Sequence, residues 1–141
     1  MTPGEERFLR RAIELAAEAR AAGDPPFGSL LVGPDGAVLA EERNTTISGG
    51  DVTAHPELKL ARWAARELAP EEAAAATMFT SCQPCGMCAG AIERSFLGRV
   101  VFALSNEQLT ALKPPASGPG VRLDGPHLPE EARAVVAGYY L

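Results

Sequence analysis

Between Glu5 and Ala22, the apolar residues Phe8, Ala12, Leu15, Ala16 and Ala19 recur at helical spacing with charges between them. That pattern predicts an amphipathic helix, ended by Gly23. Asp24-Pro25-Pro26 reads as a loop, and two short apolar runs follow, Ser29 to Val32 and Ala37 to Ala40. Gly33-Pro34-Asp35-Gly36 between them predicts a β-hairpin. After the loop Ser48-Gly49-Gly50-Asp51, a second helix is expected from Pro56 to about Leu68, because proline suits a first turn where its missing N–H is not needed. On it, Leu58, Ala61, Ala65 and Leu68 form one stripe, with Leu60 and Trp63 lying off it. Two readings fit: a helix covered on both sides, by the sheet and by a partner subunit, or plain core packing.

Pro70-Glu71-Glu72 marks a break. Thr77 to Ser81 predicts a strand, Cys85 to Phe96 a helix and Arg99 to Leu104 a second strand. Strand–helix–strand at this spacing implies a right-handed parallel crossover. Lys113 to Gly120 is rich in proline and glycine and reads as irregular, and Pro129 to Tyr140 reads as a last helix. The whole, residues 1–141, is expected to be a single layered α/β domain.

Composition narrows the class. Apolar residues make up 46% and charged residues 22% of the chain, which fits an ordinary soluble globular protein. The N-terminus is acidic where a secretory signal is basic, and no apolar run reaches membrane-spanning length, so a cytoplasmic protein without a membrane partner is expected. The net charge is −5, from 13 basic and 18 acidic residues. No basic cluster is present that would build a phosphate-gripping stripe, which argues against a nucleic-acid partner. Three cysteines within seven residues cannot form an even-numbered disulfide framework; in such a chain they point to metal or redox chemistry.

Two short motifs carry the chemistry: Thr53-Ala54-His55-Pro56-Glu57 at the start of the second helix, and Ser81-Cys82-Gln83-Pro84-Cys85-Gly86-Met87-Cys88 where a strand hands over to a helix. Cys85 and Cys88 are three apart, so at a helix start both reach one ion. The positive end of the helix dipole favours thiolates there, the form zinc needs. His55 supplies a neutral nitrogen as third ligand. One Zn²⁺ held by three protein groups keeps a tetrahedral position for water, the arrangement of catalytic rather than structural zinc. Glu57, two residues past His55, is too close to share the ion and is expected beside the water as general acid and base. His-x-Glu followed by Pro-Cys-x-x-Cys is the signature of zinc nucleobase deaminases, with the glutamate not a ligand.

With these motifs, Pro26-Phe27-Gly28, Thr80 through Ile92 and Gly98-Arg99-Val100-Val101, the chain resembles the cytidine and deoxycytidylate deaminase superfamily. The likeness runs from about Phe8 to Leu104 and is strongest to the branch of guanine deaminases, yeast-type cytosine deaminases and tRNA-adenosine deaminases. The resemblance implies a three-layer α/β/α sandwich around a mixed five-stranded sheet, usually as a homodimer or larger homo-oligomer. It implies that Asn44 hydrogen-bonds the substrate ring and that Phe27 lines the pocket. Many relatives carry glutamate where this chain has Gln83, and a bulkier residue or proline at Gly86. The expected activity is hydrolytic deamination of a small aminated nucleobase, nucleoside or related heterocycle, of guanine or cytosine type first.

Other readings stand beside this one. Within the enzymes, the competitor is a tRNA adenosine deaminase. From another class comes a non-catalytic binding module with structural zinc closed by Cys82, or a thiol-redox pair of Cys82 and Cys85. Asn44 also suits a plain turn before Thr45-Thr46, and Phe27 suits ordinary core. His127, between Pro126 and Leu128, fits an exposed loop; Tyr139 and Tyr140 fit ordinary helix packing, while the resemblance implies a C-terminal segment laid over the pocket.

Overall fold

A computed structural model describes residues 1–140. After a 3-10 turn at Pro3–Glu5, capped reciprocally by Thr2 and Glu5, helix α1 spans Glu6–Ala21. Its buried residues are Ala12, Leu15, Ala16 and Ala19, an i, i+3, i+4, i+7 stripe. Gly23, at φ +90°, ends it: the Gly23 N–H donates to the Arg20 carbonyl and the Asp24 N–H to the Ala19 carbonyl, a Schellman closure.

Strands β1 (Gly28–Val32) and β2 (Val38–Arg43) form the expected hairpin. Helix α2 covers Pro56–Glu67, α3 Pro70–Ala75, β3 Thr77–Cys82, α4 Gly86–Arg94 and β4 Arg99–Leu104. Pro70 therefore both breaks α2 and opens α3 at its first turn, a use of proline that the sequence reading stopped short of. The sheet order is β2-β1-β3-β4, with β1 antiparallel to both neighbours and β3 parallel to β4 across the α4 crossover. The sheet is mixed, as expected, but has four strands among the described residues rather than five. A fifth strand would have to come after β4. There the chain makes α5 (Asn106–Thr110) and then runs through Pro114, Pro115 and Pro119, which lack the N–H donors a ladder needs. Helix α6 covers Pro129–Val136, ending before the expected Tyr140 because Gly138 turns to positive φ.

Side-chain alternation on β1 and β3 makes three layers. Leu30, Val32 and Phe79 pack on Ala12 and Phe8 of α1. Leu31 and Met78 face the other way, against Leu60, Ala61 and Ala64 of α2 and Ile92 of α4. The buried stripe of α2 is thus Glu57, Leu60, Ala61 and Ala64, with Trp63 and Leu68 packed at its edge; Ala65 is exposed. This corrects the stripe read through Leu58 and Ala65, which instead lines a surface groove between α2 and α4. Gly28 is required by the close approach of α1: a Cβ there would overlap the backbone at Ala12 and Ala16. From Thr110 through Tyr140 every residue is exposed. His127 is among them, bonded to Asp124 at 2.8 Å, and Tyr139 and Tyr140 stack edge-on upon each other rather than on the body of the protein.

Candidate metal centre and cavity

Two helix starts converge at the ends of β1 and β3. His55 is the N-cap of α2 in extended conformation (φ −74°, ψ 143°), with Pro56 next in the helix. Cys85 is the N-cap of α4, and Cys88 lies one turn in, buried. The backbone geometry that makes these residues caps also points their side chains off the helix ends, toward one another.

His55 Nδ1 lies 3.6 Å from Cys85 Sγ and 3.5 Å from Cys88 Sγ. Zinc bonds of about 2.1 Å to nitrogen and about 2.3 Å to sulfur, at a tetrahedral angle, give an N···S edge of about 3.6 Å. The spacing fits, and one nitrogen with two sulfurs is a donor set that suits zinc. Burial lowers the pKa of His55, and the nearby charge of Lys113 adds to this, so the imidazole is neutral and free to ligate. Burial pushes the Cys88 thiol well up, followed by the charges of Glu57 and Cys85. A thiolate in that place needs a cation beside it, as a bound metal supplies. Among the described residues, Cys82 is not part of this group, which removes the fourth ligand that a closed structural site would use. Cys82 is instead a buried residue at the end of β3.

Glu57 stands in the first turn of α2 and is only 6% exposed. Burial raises its pKa, partly offset by its own backbone N–H and by the Ser29 hydroxyl. His55, Glu57 and Cys85 border a cavity of about 250 Å³, whose walls include Phe27, Cys82, Gln83, Asn106, Leu109 and Lys113. A wider outer chamber shares Phe27 and His55 and adds Asn44. Phe27 lies between the two, in the walls of both. Asn44 lines the outer chamber and also holds the turn before Thr45-Thr46. It is buried, and its Oδ1 accepts from the Thr46 N–H (2.8 Å) and Thr46 hydroxyl (2.9 Å).

The sequence reading missed the wall made by α5. Gln83 Oε1 accepts from the Asn106 N–H at 3.0 Å, and its own N–H donates to the Leu104 carbonyl at 2.7 Å. This pins the cysteine loop to α5 and brings Leu109 and Lys113 to the cavity. The available signal was Ser105-x-x-Gln108, a capping box that starts α5. At Gly86 an added Cβ would meet open space.

Two helix ends offering a nitrogen and two sulfurs at zinc spacing, beside a carboxylate outside the ligand set, define an α/β protein with an open zinc site. The chain belongs to the cytidine and deoxycytidylate deaminase family: the zinc-binding region of that family matches residues 3–104. Guanine deaminase from Bacillus subtilis (strain 168) is 43% identical over 88 residues, covering 62% of this chain and 56% of that protein. A tRNA-specific adenosine deaminase from Haemophilus influenzae is 35% identical over 108 residues, 77% of this chain and 62% of that one. The X-ray structure of guanine deaminase from Bacillus subtilis matches with a TM-score of 0.76 at 30% identity, covering 100% of this chain and 96% of that chain. The chain spans somewhat over half the length of the curated relatives it matches. No helix among the described residues is long and apolar enough to cross a membrane.

Proposed function

We propose that this protein hydrolyses the exocyclic amino group of a small aminated heterocycle, a nucleobase or nucleoside of guanine or cytosine type, releasing ammonia. The observation that carries the reading is the pair of N···S spacings between His55 and the two cysteines, with Glu57 buried beside them. His55, Cys85 and Cys88 hold the metal. When bound, zinc supplies the charge that brings the pKa of a water from about 15.7 to about 7. With zinc held there, Glu57 would take one proton from the attacking water and pass it to the ring nitrogen beside the amidine carbon, then carry the remaining hydroxyl proton of the adduct to the departing amine. The C–N bond breaks, ammonia leaves, and a carbonyl stands where the amino group was. Phe27 packs on the ring, and the Asn44 amide donates to it.

The cavity size supports a substrate of one small ring system, near the lower end of ordinary ligand pockets at about 300 Å³. Relatives bearing the name guanine deaminase support the base type. The reading takes residues 1–141 as one domain working in the cytoplasm. A homodimer or larger homo-oligomer is supported by the exposed apolar side chains Val121, Leu123, Val135, Tyr139 and Tyr140. Ammonia release screened over a panel of aminated purines and pyrimidines tests the activity; a zinc-loaded protein inert on all of them contradicts it.

The second reading, an adenosine deaminase acting on tRNA, is favoured by relatives of that name. The acidic balance of 18 to 13 opposes it, because tRNA binding rests on phosphate contacts. A gel shift with bulk tRNA decides: tight, salt-sensitive binding supports the tRNA reading, and its absence supports the small molecule.

A further inference from the structure

Behind Glu57, strands β1 and β3 place two hydroxyls back to back. Their register sets Ser29 opposite Thr80, and the two hydroxyl oxygens lie 2.7 Å apart. Ser29 Oγ also lies 3.4 Å from Glu57 Oε1, and Thr80 Oγ1 lies 3.5 Å from the Gly28 carbonyl oxygen. All three side chains are buried, Ser29 completely. Alternation puts Ser29 and Thr80 on the same face as Leu31 and Met78, the apolar layer under α2. Hydroxyls in such a layer cost stability unless they are bonded, and here each has a partner.

An ionised carboxylate only accepts hydrogen bonds. Ser29 is therefore the donor toward Glu57, its hydroxyl shared with Thr80 Oγ1, while the Thr80 hydroxyl donates to the Gly28 carbonyl. At 3.4 Å the contact with Glu57 is longer than the usual 2.5–3.0 Å for O–H···O, which makes it a weak bond. We propose that Ser29, backed by Thr80, is a positioning residue that holds one carboxylate oxygen of Glu57 against β1 and thereby turns the other toward the cavity. This rests on the reading of Glu57 as the proton carrier. Ser29 itself neither lines the cavity nor belongs to the metal-binding group, so its effect on the cavity runs through Glu57.

The test compares zinc-loaded variants on a substrate of the parent protein. Ser29→Ala is expected to lower kcat by about tenfold or more, as small misplacements of a reacting group do, while KM stays within about twofold and zinc content is unchanged. Thr80→Val is expected to lower kcat less, and Thr80→Ser, which keeps the hydroxyl, to restore most of that loss. In a Glu57→Gln background, Ser29→Ala is expected to have no further effect. A crystal structure of Ser29→Ala is expected to show the Glu57 carboxylate in more than one orientation. A Ser29→Ala protein with parental kcat, or one that still slows the Glu57→Gln variant, overturns the proposal. If instead Glu57→Gln itself keeps full turnover, it is the role of Glu57 that fails.

Discussion

The Nδ1 of His55 stands 3.5 Å from the Sγ of Cys88, though 33 residues separate them in sequence. The starts of α2 and α4 are the elements that close this gap, and among the described residues no fourth nitrogen, sulfur or carboxylate joins His55, Cys85 and Cys88 in the group. His55→Ala and Cys88→Ser are each expected to bring zinc from about one per chain to near zero, because two ligands do not hold the ion at ordinary chelator levels. Cys82→Ser is expected to keep its zinc. Metal analysis after dialysis measures all three; loss of zinc in Cys82→Ser would show a closed four-ligand site.

Gln83 ties the cysteine loop to α5. Its side-chain oxygen accepts from the Asn106 N–H, a bond that a glutamate also makes. Gln83→Glu is thus expected to stay near the parent in KM. Gln83→Ala frees α5 from the cysteine loop and is expected to raise KM by roughly threefold to tenfold at unchanged zinc content, the signature of lost substrate binding. Steady-state kinetics distinguishes them, and equal KM in both variants would remove α5 from the substrate wall.

Acid stability has a named source far from the cavity. Arg99 at the start of β4 donates to Glu5 at 2.6 Å, and this bond, with the Thr2 backbone N–H, lowers the Glu5 pKa from 4.5 to about 2. A depressed carboxyl pKa stabilises the folded state above the unfolded value and loses that contribution as pH falls through the folded one. The window is therefore from 4.5 down to about 2. Glu5→Gln is expected to be less stable at neutral pH and to lose less stability across that window. Urea unfolding at a series of pH values checks it; parallel curves for the two proteins would show that the pair contributes nothing.

Gly28 marks where α1 lies directly on β1. Gly28→Ala forces a methyl into the α1 backbone, and overpacking of this kind costs about 1–3 kcal/mol. A domain of this size then melts lower by roughly 3–15 °C. Calorimetry reads the shift, and an unchanged melting temperature would mean that α1 slides freely.

Much of this was legible in the residues because local rules and packing agree. The stripe Ala12, Leu15, Ala16, Ala19 is what α1 buries, the Gly33–Gly36 turn makes its hairpin, and β4 has the bounds that its apolar run suggests. The metal ligands were legible because their chemistry restricts both residue type and spacing. The α2 stripe was misread because small alanines populate both of its sides, and only the sheet decides which side is buried. Helix α5 is five residues long, too short for periodicity to reveal; its place depends on Gln83, distant in sequence. The fifth strand was an expectation from resemblance, and after β4 the chain makes α5 and then runs through three prolines instead. Ser29 gave no signal, since its partners are set by the register of β1 with β3.

The most direct measurement is ammonia release by zinc-loaded Glu57→Gln beside the parent, with zinc content determined on the same samples. The account predicts equal zinc and a rate lower by about 10²- to 10⁴-fold, the usual contribution of a positioned acid and base. A variant that keeps both its zinc and its full rate contradicts it.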